Sequence, residues 1–207
     1  MRNLQEKAIE ELSRAPFDMA VLRVFLSRYA QPVRKAWALV NKGVLLRLKK
    51  GFFCVSPEYA HRFPDLNKVA NVLYAPSYVS FETVLARCGL IPEAVIETSS
   101  AVTGRAKRFE TPLGRFSYRT VPNDVFPIGV RSVGGALVAS PEKALCDLLD
   151  SKSGLRISSP RSLRSYLECD LRFDFDAFGK PNMEILAAYA AAGRKKPLFR
   201  ALERLFQ

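Results

Sequence analysis

The hydrophobic pattern of the first sixty residues predicts short helices followed by a hairpin. Apolar side chains three and four residues apart predict a first helix that ends at Pro16 and a second helix capped by Asp18. The same spacing predicts a third helix that begins near Gln31, carries Pro32 in its first turn and ends at Gly43. These three helices are short enough to pack as one small domain.

The third helix and the segment after it complete this pattern. Val33, Trp37 and Val40 share one apolar face, which we expect to be buried. The period then changes to that of two short strands around a turn at residues 49–51. Three helices followed by a basic-tipped hairpin are the arrangement of a winged helix-turn-helix, which we predict for residues 1–60.

The rest of the chain, residues 61–207, combines strands with helices, which predicts a larger mixed α/β domain ending in helices. Alternating polar and apolar positions predict strands within residues 94–121 and at residues 136–140. A predicted helix carries Leu66 and Leu73 on its apolar face. Capping residues and prolines mark the starts of further helices at or next to Ser80, Ser140, Ser159, Asn182 and Pro197. The predicted fold class of the whole chain is therefore α+β.

Composition adds an expectation about partners. The 207 residues are 48% hydrophobic and 25% charged, as in ordinary globular proteins, and their formal net charge is +12. Residues 1–60 hold 11 Lys and Arg against 5 Asp and Glu, whereas the remaining residues hold 21 against 15. The first part is more than twice as basic per residue, which is typical of a nucleic-acid-binding module. The alternative is that the charge only maintains solubility.

Candidate DNA-binding residues follow from the winged-helix geometry, in which the start of the third helix enters the major groove. The solvent-facing polar residues there are Arg28, Gln31, Arg34 and Lys35. Arginine suits a guanine edge, glutamine suits an adenine edge, and lysine binds phosphate. The side chains that the hairpin would bring to the DNA backbone are Arg47, Lys49 and Lys50. Protein contact without DNA binding is the alternative use of such a domain.

A second basic cluster falls within fifteen residues around a predicted hairpin. Its members are Arg105, Lys107, Arg108, Arg115 and Arg119. Residues an even number of positions apart share a strand face, so Arg115 and Arg119 align. This cluster is a candidate second surface for operator DNA, RNA or a nucleotide, and the alternative is a solvated strand face.

Cysteine and histidine give no support for a metal site. No two of the four cysteines form a C-x-x-C pair, and His61 is the single histidine. We expect all four thiols to be reduced in an intracellular protein; they are Cys54, Cys88, Cys146 and Cys169. No apolar run has the length of a spanning helix, and the N-terminus lacks a signal-peptide core, so we expect a cytoplasmic protein without membrane contact.

Acidic residues give no support for catalysis either. Glu142 and Lys143 are adjacent and point about 100° apart on a helix, unlike the spaced pair of a metal-dependent nuclease. Asp147 and Asp150 face nearly the same way, which fits a solvated or salt-bridged helix face better than a Mg²⁺ site. We therefore predict no catalytic residue, no cofactor and no metal, and a nuclease is the least favoured alternative.

Three segments, residues 80–93, 139–147 and 43–55, resemble the AbiE-type abortive-infection antitoxin family, a likeness that extends over about residues 15–150. The resemblance implies an N-terminal winged helix, a larger antitoxin domain and repression of the protein's own two-gene operon. It also implies a type IV toxin–antitoxin system of phage defence, in which a nucleotidyltransferase-like toxin is neutralised without a stable complex being required.

These observations together predict a two-domain transcriptional repressor and antitoxin, divided at residues 1–60 and 61–207. Its expected partners are operator DNA with an inverted repeat and the toxin. Two copies are expected on the repeat, and the sequence leaves open whether they bind as a dimer or as independent monomers. A winged-helix module that binds a protein instead of DNA is the main alternative.

Overall fold

The computed structural model describes Leu12, residues 15–93 and residues 96–207, and within them the chain is α+β. Its strands are β1 Phe17–Asp18, β2 Leu45–Lys49, β3 Phe52–Val55, β4 Tyr78–Val79, β5 Glu97–Val102, β6 Lys107–Thr111, β7 Gly114–Thr120, β8 Val130–Val133 and β9 Ala136–Ala139. Its helices are α1 Met19–Phe25, α2 Pro32–Asn41, α3 Pro57–Ala60, α4 Leu66–Leu73, α5 Phe81–Arg87, α6 Pro141–Ser151, α7 Pro160–Ser165, α8 Phe175–Phe178, α9 Met183–Ala192 and α10 Lys196–Phe206. A 3₁₀ turn at Asn123–Val125 and a π-helical turn at Tyr166–Asp170 join them. The first predicted helix, apart from Leu12, lies outside the described residues.

The N-terminal part places α1 and α2 against a small antiparallel sheet of strand order β1-β3-β2. Asp18 caps α1 as predicted, because its carboxylate accepts a hydrogen bond of 2.9 Å from the Val21 amide. Helix α2 begins after Gln31 with Pro32 at its first position, also as predicted. The β2–β3 hairpin turns through Gly51, whose φ of +81° is the left-handed conformation that glycine adopts without strain.

The orientation of α2 differs from the expectation. The exposed fractions of Val33 and Trp37 are 37% and 39%, so the expectation that these side chains are buried is wrong. The buried residue of the helix is Ala36, where α2 meets α1 and β2. A small side chain at that position lets the helix approach its neighbours closely. Leu39 and Val40 pack against the smaller core beside it, while Val33 and Trp37 are left at the surface.

The larger sheet has six strands in the order β6-β7-β5-β4-β9-β8. Strand β5 runs parallel to β7 and β4 runs parallel to β9, while the other neighbours are antiparallel. Helix α4 packs on one face, where the Tyr118 hydroxyl donates a 2.6 Å hydrogen bond to the Ala70 carbonyl. Helices α5 and α6 cover the other face, where the Tyr78 hydroxyl donates to Asp147 at 3.0 Å. The predicted strands β5, β6, β7 and β9 are therefore confirmed, and β4 and β8 are additions to them.

Two groups of buried apolar side chains hold the chain together, and the β2–β3 hairpin contributes to both. Alternate residues of β3 point to opposite sides, so Phe53 and Val55 join the smaller N-terminal core while Cys54 joins the larger one. On β2, Leu45 belongs to the smaller core and Leu48 to the larger. The hairpin is thus a layer between the two cores.

Most predicted helix starts are confirmed by their caps. The Ser140 hydroxyl accepts from the Lys143 amide at 3.3 Å, Ser159 accepts from the Ser162 amide at 3.1 Å, and the Asn182 side chain accepts from Glu184. Ser80 precedes α5 as predicted, but its hydroxyl makes no cap: it donates to the carboxylate of Asp147 at 2.6 Å. A buried carboxylate on the neighbouring helix α6 is the stronger partner for that hydroxyl. No helix of the described part of the chain is both long and apolar enough to cross a membrane.

Candidate nucleic-acid interface

The polar residues at the start of α2 lie together at one end of the helix. Arg28, Gln31 and Arg34 are exposed, and Lys35 is half-buried. The Arg34 guanidinium is 3.4 Å from the side-chain oxygen of Gln31, to which it donates a hydrogen bond. The Lys35 ammonium lies 4.8 Å from the ring centroid of Tyr29, and the Arg28 guanidinium lies 5.5 Å from it. The structure therefore brings these four predicted residues to one surface.

Arg47 joins this surface from the hairpin. Its guanidinium lies 5.4 Å from the ring centroid of Trp37, which follows Arg34 by one helical turn. On its inner side the indole ring of Trp37 makes an edge-to-face contact with the buried Phe53, with ring centroids 6.0 Å apart, and this contact holds the indole in place. Trp37 was expected in the core, and its half-exposed position between α2 and the hairpin is set by packing that the sequence pattern does not encode.

Lys49 does not join the other hairpin cations. Its ammonium donates a 2.6 Å hydrogen bond to the carbonyl of Leu73 at the end of α4, and it lies 4.2 Å from the ring centroid of Phe52. Partial burial lowers the pKa of Lys49, and the nearby charge of Lys107 lowers it further. Lys50, the next residue, is exposed at the turn. The predicted group of three hairpin cations is thus reduced to Arg47 and Lys50 on the outer surface.

The cations of residues 15–55 have no acidic partner within the described structure. This stretch contains eight Lys and Arg but a single acidic residue, Asp18, whose carboxylate caps α1. None of its Lys or Arg side chains forms an ion pair with a described carboxylate. Uncompensated positive charge of this kind attracts a polyanion from solution.

One member of the second predicted basic cluster is neutralised by an ion pair. Arg119 forms an ion pair of 2.9 Å with Glu82 on α5, and its guanidinium also lies 4.7 Å from the ring centroid of Phe81. Arg115 lies on the same face of β7, as predicted, but its neighbours in the sheet register are Glu97 on β5 and Glu110 on β6. Arg119 is therefore neutralised, whereas Arg115 is exposed beside acidic neighbours and forms no ion pair with a described carboxylate.

The other members of that cluster lie apart. Register places Lys107 opposite Tyr118, on the sheet face that α4 covers, and its ammonium lies 4.6 Å from the ring centroid of Tyr74. Arg108 lies on the opposite face of β6, and Arg105 precedes the strand; both side chains are exposed. The five residues thus do not form one continuous surface.

A buried polar network, which sequence reasoning missed, lies between the sheet and α6. The Lys143 ammonium is 3.3 Å from the Asp147 carboxylate and donates hydrogen bonds of 2.6 Å to the Tyr189 hydroxyl and to a backbone carbonyl. Asp147 accepts hydrogen bonds from Tyr78, Ser80 and Tyr189. Burial lowers the pKa of Lys143 and raises that of Asp147, while their mutual attraction opposes both shifts. Every polar atom of the ion pair is engaged within the fold, so the network is a structural element.

Asp147 and Asp150 therefore belong to separate ion pairs. The Arg194 side chain donates to Asp150 at 2.7 Å, and the Arg194 amide donates to the other carboxylate oxygen at 3.0 Å. Among the described residues, no group of three or more His, Cys, Asp or Glu side chains has the arrangement of a metal site. His61 is exposed after α3, and the four thiols are free.

Comparisons with known proteins add no further information about this surface. No protein-family model matches the sequence, and no curated protein is significantly similar to it.

Proposed function

We propose that the N-terminal part of the chain is a winged helix-turn-helix domain that binds duplex DNA. The order of α1, α2 and the β2–β3 hairpin supports this assignment. The observation that carries the proposal is the group of polar side chains around the start of α2, whose cations form no ion pair with a described carboxylate. This group consists of Arg28, Gln31, Arg34 and Lys35, with Arg47 held beside them on the face of Trp37.

In this proposal α2 is the recognition helix. Gln31 and Arg34 lie at its start, where a helix inserted in the major groove contacts base edges, and Arg28 and Lys35 bind the flanking phosphates. Arg47 and Lys50 bind the backbone from the hairpin. The proposal gives Lys49 no such role, because its ammonium donates a hydrogen bond to the Leu73 carbonyl.

The experiment is a gel shift with the full chain and the DNA upstream of its own gene, at 50 and 200 mM salt. With about four phosphate contacts, the affinity should fall about 100-fold between these conditions. Binding that is absent at both concentrations, or independent of salt, would contradict the proposal.

We further propose that the protein represses its own operon and acts as the antitoxin of a type IV system, with a nucleotidyltransferase-like toxin as functional partner. The support is the resemblance of residues 80–93 and 139–147 to the antitoxin family. These segments contain α5 and the first part of α6; the two helices pack together and are joined by the hydrogen bond from Ser80 to Asp147. They are therefore one structural unit, although the sequence separates them widely.

The antitoxin proposal is tested by co-expression with the neighbouring reading frame, provided that frame encodes a nucleotidyltransferase-like protein. We expect the full chain to restore growth that the toxin arrests. A variant with Arg34→Ala should still restore growth, because it alters only the DNA surface. Persistent growth arrest in the presence of the folded wild-type chain would reject the antitoxin role.

A protein-binding function is the second candidate, because Val33 and Trp37 are exposed apolar side chains on α2. A surface used for protein contact alone would leave the chain without salt-dependent affinity for DNA. The gel shift therefore discriminates between the two candidates.

A further inference from the structure

An apolar strip runs along the exposed side of α2, within the proposed DNA surface. Val33 and Trp37 are one helical turn apart and are both more than one-third exposed. Gln31 and Arg34 lie beside them, and Arg47 covers one face of the indole. The strip is therefore bordered by hydrogen-bonding and positively charged groups, whereas no acidic residue lies in α2 or the hairpin.

We infer that this strip contacts the 5-methyl group of thymine in the major groove; the inference rests on the proposed DNA binding. Among the four bases, thymine alone presents an apolar methyl group on its major-groove edge. Val33 lies near the start of the helix that would enter the groove, two residues after Gln31, whose amide matches an adenine edge. An A·T pair offers both features at neighbouring positions of one groove.

The geometry favours a methyl contact over stacking on a base. One face of the Trp37 ring is covered by the Arg47 guanidinium, and the contact with Phe53 holds the ring from the protein side. A base therefore cannot insert against that face without displacing the arginine. The part of the strip that is open lies between Val33, Pro32 and the indole edge, and a methyl group is of a size to fit there.

The charge around the strip favours DNA over a protein as its occupant. Arg34, Arg47 and Lys35 have no carboxylate partner within the described residues, so they would repel a basic partner and require many acidic groups on a neutral one. A duplex supplies a phosphate next to each base edge. A duplex therefore offers phosphates to the cations and an apolar methyl group to the strip at the same time.

The test replaces thymine by uracil, which removes the methyl group and leaves the base-pairing edge unchanged. The full chain first selects its preferred duplexes from a random pool, and each thymine of the selected site is then replaced singly. At one or two positions we expect an affinity loss of about fourfold, corresponding to one methyl group returned to water. The other positions should show no change.

Val33→Ala is the decisive variant. At the positions where the wild type prefers thymine, this variant should bind the thymine and the uracil duplex with equal affinity. Its affinity for the uracil duplex should equal that of the wild type. Val24→Ala is the matched control, because Val24 is 73% exposed on α1 and lies outside the strip. Both variants should unfold at the wild-type temperature, since neither side chain is buried.

Three results overturn the inference in different ways. Equal binding of thymine and uracil at every position, with steep salt dependence, would reject the methyl contact and leave the proposed DNA binding intact. Undiminished discrimination by Val33→Ala would assign the methyl contact to another residue. If no duplex is selected from the pool, the proposed function and this inference both fail, and a protein becomes the better occupant of the strip.

Discussion

The basic side chains of the smaller N-terminal region and those of the larger region are used differently. Residues 15–55 carry eight Lys and Arg, and among the described residues none of these forms an ion pair. The larger region contains five described ion pairs: Arg119–Glu82, Lys143–Asp147, Arg164–Glu168, Arg172–Glu93 and Arg194–Asp150. Five cations thus help to hold the larger region together, whereas the cations of the smaller region, apart from Lys49, have no such internal role and can attract an external anion. Net charge alone conceals this difference.

The largest expected effect concerns the buried pair of the larger region. Asp147→Ala leaves the Lys143 ammonium buried without its counter-charge, and it removes the acceptor of the buried Tyr78 and Ser80 hydroxyl groups. The free energy of unfolding should fall by about 3–5 kcal/mol. Urea denaturation measures this change. Glu168→Gln, at the exposed pair with Arg164, is the control and should change stability by less than about 1 kcal/mol. Equal effects of the two variants would contradict the structural role of the buried pair.

The next effect concerns the smaller region. Arg34→Ala should weaken DNA binding by about 1–3 kcal/mol and relax specificity at one base pair, because it removes a contact to a base edge. Its urea denaturation should be unchanged, since the side chain is exposed and unpaired with acid. Arg161→Ala, an exposed arginine at the start of α7, is the matched control and should retain full affinity. A loss of affinity in both variants would show that charge in general, not position on α2, governs binding.

Two adjacent lysines sharpen the comparison further. Lys50→Met should lower the slope of log affinity against log salt by about 1, as expected for one lost phosphate contact. Lys49→Met should leave that slope unchanged, because its ammonium bonds to the Leu73 carbonyl instead of facing solvent. Salt titrations of the gel shift measure both slopes. An equal decrease for the two variants would place Lys49 on the DNA as well.

The last expected effect is a dependence of stability on alkaline pH, which is absent below about pH 9 and grows gradually above it. Burial raises the pKa of the Cys54 thiol to about 12 from an ordinary value of 9.0. Above pH 9 the unfolded chain releases this proton while the folded chain keeps it, so stability falls as pH rises toward 12. For one such group the fall is at most about 1.4 kcal/mol per pH unit. The difference in unfolding free energy between the wild type and Cys54→Ala should therefore shrink with pH over this range. A constant difference would contradict the shift.

Local signals in the sequence predicted the elements well. Asp18, Ser140 and Asn182 cap their helices as expected, because a cap depends on residues within one turn of it. The turn of the hairpin at Gly51 is determined in the same local way. The α+β class followed from these elements.

The orientation of elements could not be predicted in this way. Ala36, instead of Val33 or Trp37, is buried against the neighbouring elements, and Trp37 therefore became part of the candidate site. The direction of Lys49 depends on a carbonyl 24 residues away, and the pairing of Arg119 depends on Glu82 on a different element. The two-residue strand β4 is defined only by its neighbours β5 and β9. Such long-range contacts leave no periodic signal in the sequence.

The shared hairpin limits the autonomy of the smaller region. A fragment ending at residue 60 would lose the larger core, and the side of the hairpin bearing Leu48 and Cys54 would meet water. Exposed apolar strands of this kind promote aggregation. Truncation at that boundary should therefore yield a fragment that aggregates. The shortest fragment that stays soluble and monomeric would show how much of the larger region the smaller one needs.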